Sequence, residues 1–115
     1  MSKKLNQSSC EACKQDAIIL SEKEILELAP QIPSWKILEE ENIKKLICSF
    51  AFLDYKESVE FTNNVANLAD EQDHHPEIIL EWGKVTVLWW SHKIQGLHKN
   101  DFICAAKTDE IYKSS

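Results

Sequence analysis

The segment KVTVLWWSH, residues 84 to 92, limits this chain more than any other. As a strand it is apolar on both parities: Val85, Val87 and Trp89 point one way, Leu88 and Trp90 the other. Such a strand belongs inside a sheet, with cover on both faces. Gly83-Lys84 supplies a two-residue hairpin turn ahead of it, and EIILEW, residues 77 to 82, reads as its partner. Cover on two sides in so small a chain also points to a second subunit.

The remaining elements follow from caps and periodicity. Ser21 and Glu24 form a capping box ahead of Ile25, Leu26 and Leu28, and Pro30 ends that helix. Pro33 holds an extended link into WKILE, a short strand at 35 to 39. Glu39 to Asn42 is a turn, and a second strand runs from Ile43 to Leu53, with Leu46, Cys48, Phe50 and Phe52 on one face. Asp54 and Glu57 open the longest helix, about 55 to 70, whose stripe is Tyr55, Val59, Thr62, Val65, Ala66 and Ala69. After a turn at Gly96, a last helix spans about 98 to 112 with Phe102, Ala105 and Ala106, and His98 at its start. This order gives an α+β domain: a four-stranded, mainly antiparallel sheet with three helices packed on one face. The single domain is expected over 21 to 115, behind a weakly ordered arm at 1 to 20.

Composition removes several function classes. The net charge is −6 and all 13 bases are lysines, clustered at most in pairs such as Lys3-Lys4 and Lys44-Lys45. That argues against nucleic acid and anionic membrane as partners. The longest apolar run, Val85 to Trp90, is far too short to span a bilayer. The N-terminus has lysines but no apolar h-region, so no secretory signal is expected and the cytoplasm is the expected compartment. Cysteines there are free thiols. Cys10 and Cys13 form a CxxC, but a zinc site would want two more ligands, ideally a second close pair, so CEAC reads as part of a solvated arm. Cys48 and Cys104 sit in apolar stretches and read as buried thiols.

The chemistry concentrates in DEQDHHPEIILEW, residues 70 to 82. His74 and His75 follow the long helix, and His92 ends the last strand. Pro76 pushes His75 toward extended backbone, so neighbouring rings point opposite ways and are poorly placed to share one metal. Imidazole titrates near neutral pH, so a set of histidines can divide acid and base roles. Asp70, Asp73 and Asp101 stand near enough in sequence to orient the rings. Each histidine alone is better explained as a cap or surface group; the three together read as a general acid–base site. Residue chemistry names no substrate.

At these positions the chain resembles the pterin-4a-carbinolamine dehydratases. Their pattern is an acid, three residues, His-His-Pro, five residues, an aromatic, nine residues, His, eight or more residues, and Asp. Asp70, His74, His75, Pro76, Trp82, His92 and Asp101 meet it at every gap. The flanks IPSW, FTNNVANLA, EWGKVTVLWW, GLHKNDF and AAKTDE look like bacterial members, as does CEAC. The resemblance implies the fold given above, assembled as homodimers or homotetramers. It also implies a reaction: loss of water from a 4a-hydroxy-tetrahydropterin to give quinonoid dihydropterin. That step recycles the cofactor of aromatic amino acid hydroxylases such as phenylalanine hydroxylase. No metal or organic cofactor is implied.

By the same resemblance His74, His75 and His92 line the pterin site, with His75 and His92 foremost in proton transfer to the hydroxyl. His74 takes a second acid–base role or binds the ring, and Asp73 and Asp101 orient histidines or hold pterin nitrogens. Asp70 stands where many members have Glu, Pro76 sets the loop, and Ser91 contacts the ring. Ile78 replaces a Trp of some animal members, so no stacking ring is implied there. Trp82, Trp89 and Trp90 read as packing residues. Two rival readings are a protein-binding dimerisation or coactivator module, as in animal members, and a zinc protein using CEAC with the histidines.

Overall fold

The computed structural model describes residues 19 to 114. Cys10, Cys13 and nearly all of the expected N-terminal arm lie outside these residues. The elements are α1 (Glu22–Leu28) with a 3₁₀ turn at Ala29–Gln31, β1 (Lys36–Glu40), β2 (Ile43–Ala51), α2 (Tyr55–Gln72), β3 (Glu77–Glu81), β4 (Lys84–Trp89) and α3 (Lys99–Lys113). The strands pair in the order β1-β2-β4-β3, antiparallel throughout. This is the α+β architecture expected from the sequence.

Local signals explain most element ends. Ser21 and Glu24 make the reciprocal capping box of α1, and Asp54 caps α2 through the Glu57 N–H at 2.8 Å. α1 ends at Leu28, ahead of Pro30, as the sequence suggests, and the chain continues into the 3₁₀ turn. Pro30 sits in the first positions of that turn, where its missing N–H has no helical partner to lose. The first turn is tighter than the sequence suggests, and the second keeps two residues but lies one position earlier. Glu40 pairs with Ile43 and Glu81 with Lys84, so the loops are Glu41-Asn42 and Trp82-Gly83. Gly83 adopts φ +71, and a Cβ there would lie 3.2 Å from the Phe52 carbonyl.

The core lies between α2, α3 and the sheet face carrying Leu46, Cys48, Phe50, Val85, Val87 and Trp89. α2 is rotated relative to its expected stripe. Its buried residues are Ser58, Phe61, Val65, Leu68 and Ala69, while Tyr55 and Ala66 are exposed. The larger side chains decide this rotation. Phe61 meets Phe50 at 4.9 Å, Phe52 at 5.1 Å and Tyr112 at 5.9 Å between ring centroids. Burying such a ring contributes about 2–3 kcal/mol, more than Thr62 or Ala66 can offer.

β4 is interior, as its two apolar parities require. Val85, Val87 and Trp89 face the helices. On the other face Leu88 is only 3 % exposed. It is flanked by Ile47 on β2 and Glu77 on β3, while Thr86 beside it bonds Ser49 at 2.9 Å. Side chains of adjacent strands contribute to the cover of Leu88.

Burial, and then the negative charge of Asp109, push the Cys48 thiol up to about 11. The neutral thiol is the form that fits the fold, so stability should fall as pH rises from the ordinary value of 9.0 toward about 11. At pH 8 about 0.1 % of Cys48 would be thiolate. Peptide mapping after iodoacetamide treatment at pH 8 should find Cys48 and buried Cys104 unmodified in the folded protein and alkylated in denaturant. Alkylation of native Cys48 at the denatured rate would contradict this.

Candidate active site

The site begins where α2 stops. Asp73 takes a left-handed conformation, φ 50 and ψ 43, and its N–H bonds the Ala69 and Asp70 carbonyls. Aspartate is among the few residues that adopt this geometry at low cost. The His74 N–H then bonds Ala69 O at 3.1 Å, and Pro76 keeps the following backbone extended. The two histidine rings consequently part company.

His74 turns inward and is 4 % exposed. Its ring stacks on Trp89 with centroids 5.6 Å apart and planes 11° from parallel. Its Nε2–H donates to Asp101 Oδ1 at 2.6 Å. Asp101 is fully buried in the first turn of α3, and its Oδ2 accepts from Ser91 Oγ at 2.9 Å and from the His98 N–H at 2.8 Å. One carboxyl group thus ties together the loop after α2, the segment after β4 and the start of α3. His98 caps α3, its Nδ1 accepting from the Asn100 N–H at 3.2 Å.

His75 turns outward, with its side chain 61 % exposed. Its Nε2 meets Asp70 Oδ1 at 3.2 Å. His92 does not end β4, as the sequence suggested. The strand stops at Trp89, and Ser91 and Gly96 exchange backbone bonds of 2.9 and 3.4 Å that close a small loop beginning at His92. The Ser91–Asp101 bond draws the chain out of the sheet at this point. His92 Nε2 lies 3.1 Å from the His75 carbonyl oxygen.

The structure therefore brings His75 and His92 together at the surface, with Asp70 beside them, and sets His74 and Asp101 behind as a buried support, with partly buried Ser91 bonded to Asp101. Asp73 is exposed at the end of α2 and serves there as its C-cap. Pro76 is partly buried in the bend, and Ile78 packs against the core. Trp82, read as a packing residue, is 73 % exposed at the hairpin turn, where it is off the pleat of both strands. Trp89 is core, its Nε1–H donating to Thr108. Trp90 is only partly buried and contacts His92 at 4.3 Å and Lys45 at 4.1 Å. No sequence signal pointed to Lys45, because only the β2–β4 register brings it there.

Hydrogen-bond direction fixes the ring chemistry. Carbonyl and carboxylate oxygens accept, so Nε2 of both His75 and His92 carries a proton. Nδ1 is then the lone-pair nitrogen of each neutral ring. Among the described residues, no group of three His, Cys, Asp or Glu side chains is placed to hold a metal ion. A broad open groove between α2 and α3, lined by Phe61, Leu68, Glu57, Glu60, Lys107 and Glu110 among others, includes none of the histidines. Among the described residues no helix is long and apolar enough to cross a membrane.

A model of the family described as pterin 4 alpha carbinolamine dehydratase matches residues 19–111. A Nitrosococcus oceani protein provisionally named pterin-4-alpha-carbinolamine dehydratase is 53 % identical over 109 residues, covering 95 % of this chain and 96 % of its own. A Saccharophagus degradans protein with the same provisional name is 50 % identical over 109 residues, covering 95 % and 96 %. Among solved structures, a transcriptional coactivator/pterin dehydratase from Brucella melitensis has a TM-score of 0.75 at 26 % identity, covering 83 % of this chain and 99 % of that one. A pterin dehydratase-like protein described as a RuBisCO assembly factor in the alpha-carboxysome shares the fold, with a TM-score of 0.60 at 24 % identity, covering 71 % and 93 %. The chain belongs to the pterin-4-alpha-carbinolamine dehydratase family.

Proposed function

We propose that this chain dehydrates 4a-hydroxy-tetrahydropterin to quinonoid dihydropterin by histidine acid–base catalysis. The observation that carries the reading is the contact of the His92 ring with the His75 backbone carbonyl, which brings two exposed histidines from distant parts of the sequence to one place on the surface of a chain from this family. The reaction needs a proton delivered to the leaving 4a-hydroxyl and a proton removed from ring N5. Water departs, the C4a–O bond breaks, and the electrons of the N5–H bond form the new C=N bond. Proton transfers suffice, and positioned acids and bases typically contribute about 10²- to 10⁴-fold.

In this reading His75 and His92 serve the hydroxyl and N5, and His74 with Asp101 supports the bend that presents them. Asp70 orients His75, while Asp73, Pro76 and Ser91 shape the rim against the pterin. Phenylalanine hydroxylase is the partner activity that supplies the substrate, the working form is a homo-oligomer, and the compartment is the cytoplasm.

The test supplies 4a-hydroxy-tetrahydropterin, generated in situ by a phenylalanine hydroxylase, and follows quinonoid dihydropterin by absorbance. The protein should accelerate its appearance well above the uncatalysed rate. A rate equal to the blank would overturn the dehydratase reading and favour a coactivator role of the kind named for the Brucella neighbour.

A further inference from the structure

Trp90 takes no part in the reaction proposed above, yet it touches one of the rings that does. It follows β4 on the parity of Leu88, the sheet face away from the helices. The pairing of Leu46 with Trp89 places Lys45 beside it across the sheet. Lys45 Nζ lies 4.1 Å from the Trp90 ring centroid and 3.1 Å from Glu40 Oε1. The Lys45 side chain is only 13 % exposed, which is costly for an ammonium unless a carboxylate and a π face receive it. The His92 ring rests against the same indole, with centroids 4.3 Å apart and planes at 39°.

A hydrogen bond from His92 Nε2 to the His75 carbonyl fixes one point of the imidazole but leaves rotation about that axis. A flat surface against the ring removes that rotation. We propose that Trp90 and Lys45 are positioning residues for His92: Lys45, anchored by Glu40, holds the indole in place, and the indole sets the plane of the imidazole and so the aim of Nδ1. The proposal rests on the reading that His92 moves a proton, where small misplacements cost large factors in rate.

Lys45→Met tests it, because methionine keeps much of the apolar stem, removes the charge and leaves Trp90 in place. At pH 8 the His92 ring protons should resonate upfield in the native protein through the Trp90 ring current. In Lys45→Met they should move at least halfway to their position in Trp90→Leu, and kcat should fall about fivefold to tenfold with KM within about twofold. Lys45→Arg, which also stacks on aromatic faces, should restore both. His92 resonances unmoved in Lys45→Met would overturn the proposal, as would full kcat in both Lys45→Met and Trp90→Leu. If the native protein has no dehydratase activity, the resonance shifts still decide whether Lys45 positions His92. If the activity stands while the shifts stay put, only the positioning claim fails. A Trp90→Leu chain that does not fold leaves the decision with Lys45→Met, judged by how far its His92 protons move downfield from their native position.

Discussion

Alanine at His75 or at His92 should lower kcat for 4a-hydroxy-tetrahydropterin dehydration about 100-fold, with circular dichroism and melting temperature close to those of the native chain. The factor lies at the low end of what a positioned acid or base supplies, and corresponds to about 2.7 kcal/mol of transition-state stabilisation. Folding is spared because both rings lie at the surface. The His75–Asp70 contact is solvent-exposed, and exposed pairs of this kind contribute at most about 1 kcal/mol. The double variant should be little worse than either single one, because the rings act as a unit. Rates are read above the uncatalysed background. Full activity in both single variants would place the chemistry elsewhere.

Asp101→Asn should act through the fold first. The amide has the same shape, but its NH₂ group must replace either the oxygen that accepts from the His74 Nε2–H or the one that accepts from both the Ser91 hydroxyl and the His98 N–H. A buried donor left unpaired costs about 1–3 kcal/mol. We expect a loss of about 3 kcal/mol by urea denaturation, a melting temperature lower by about 10 °C, and a fall in kcat even in the folded fraction. Three segments that carry the site would loosen together. Asp70→Asn, on an exposed carboxylate, should leave the melting temperature where it was. Equal stability of Asp101→Asn and the native chain would show that Asp101 does not tie these segments together.

The parts of this fold that were legible in the sequence are those with a local cause. Ser21, Asp54 and Gly83 mark helix starts and a turn by their own backbone chemistry, and the strand residues from Leu46 to Phe52 show their buried face by alternation. The rotation of α2 was not legible, because Phe61 gains its weight from Phe50, Phe52 and Tyr112, residues brought near only by the fold. The two-sided burial of β4 was legible, but its cover was not: Ile47 and Glu77 are beside Leu88 only in the folded sheet.

The site divides in the same way. The opposite directions of His74 and His75 follow from extended backbone before Pro76, and could be read locally. The burial of His74 on Asp101, and the end of β4 at Trp89, depend on a contact between Ser91 and Asp101 that spacing does not reveal. The resemblance supplied Asp101 as a site residue; the structure adds that it also holds the start of α3.

The central claim is that one pterin ring engages His75 and His92 together. Titrating ¹³C-histidine-labelled protein with 7,8-dihydrobiopterin, a stable analogue of the ring, tests it directly. The account predicts that the His75 and His92 ring resonances shift in parallel and saturate at a single Kd. Saturable binding that moves neither resonance, or moves only one of them, would contradict it.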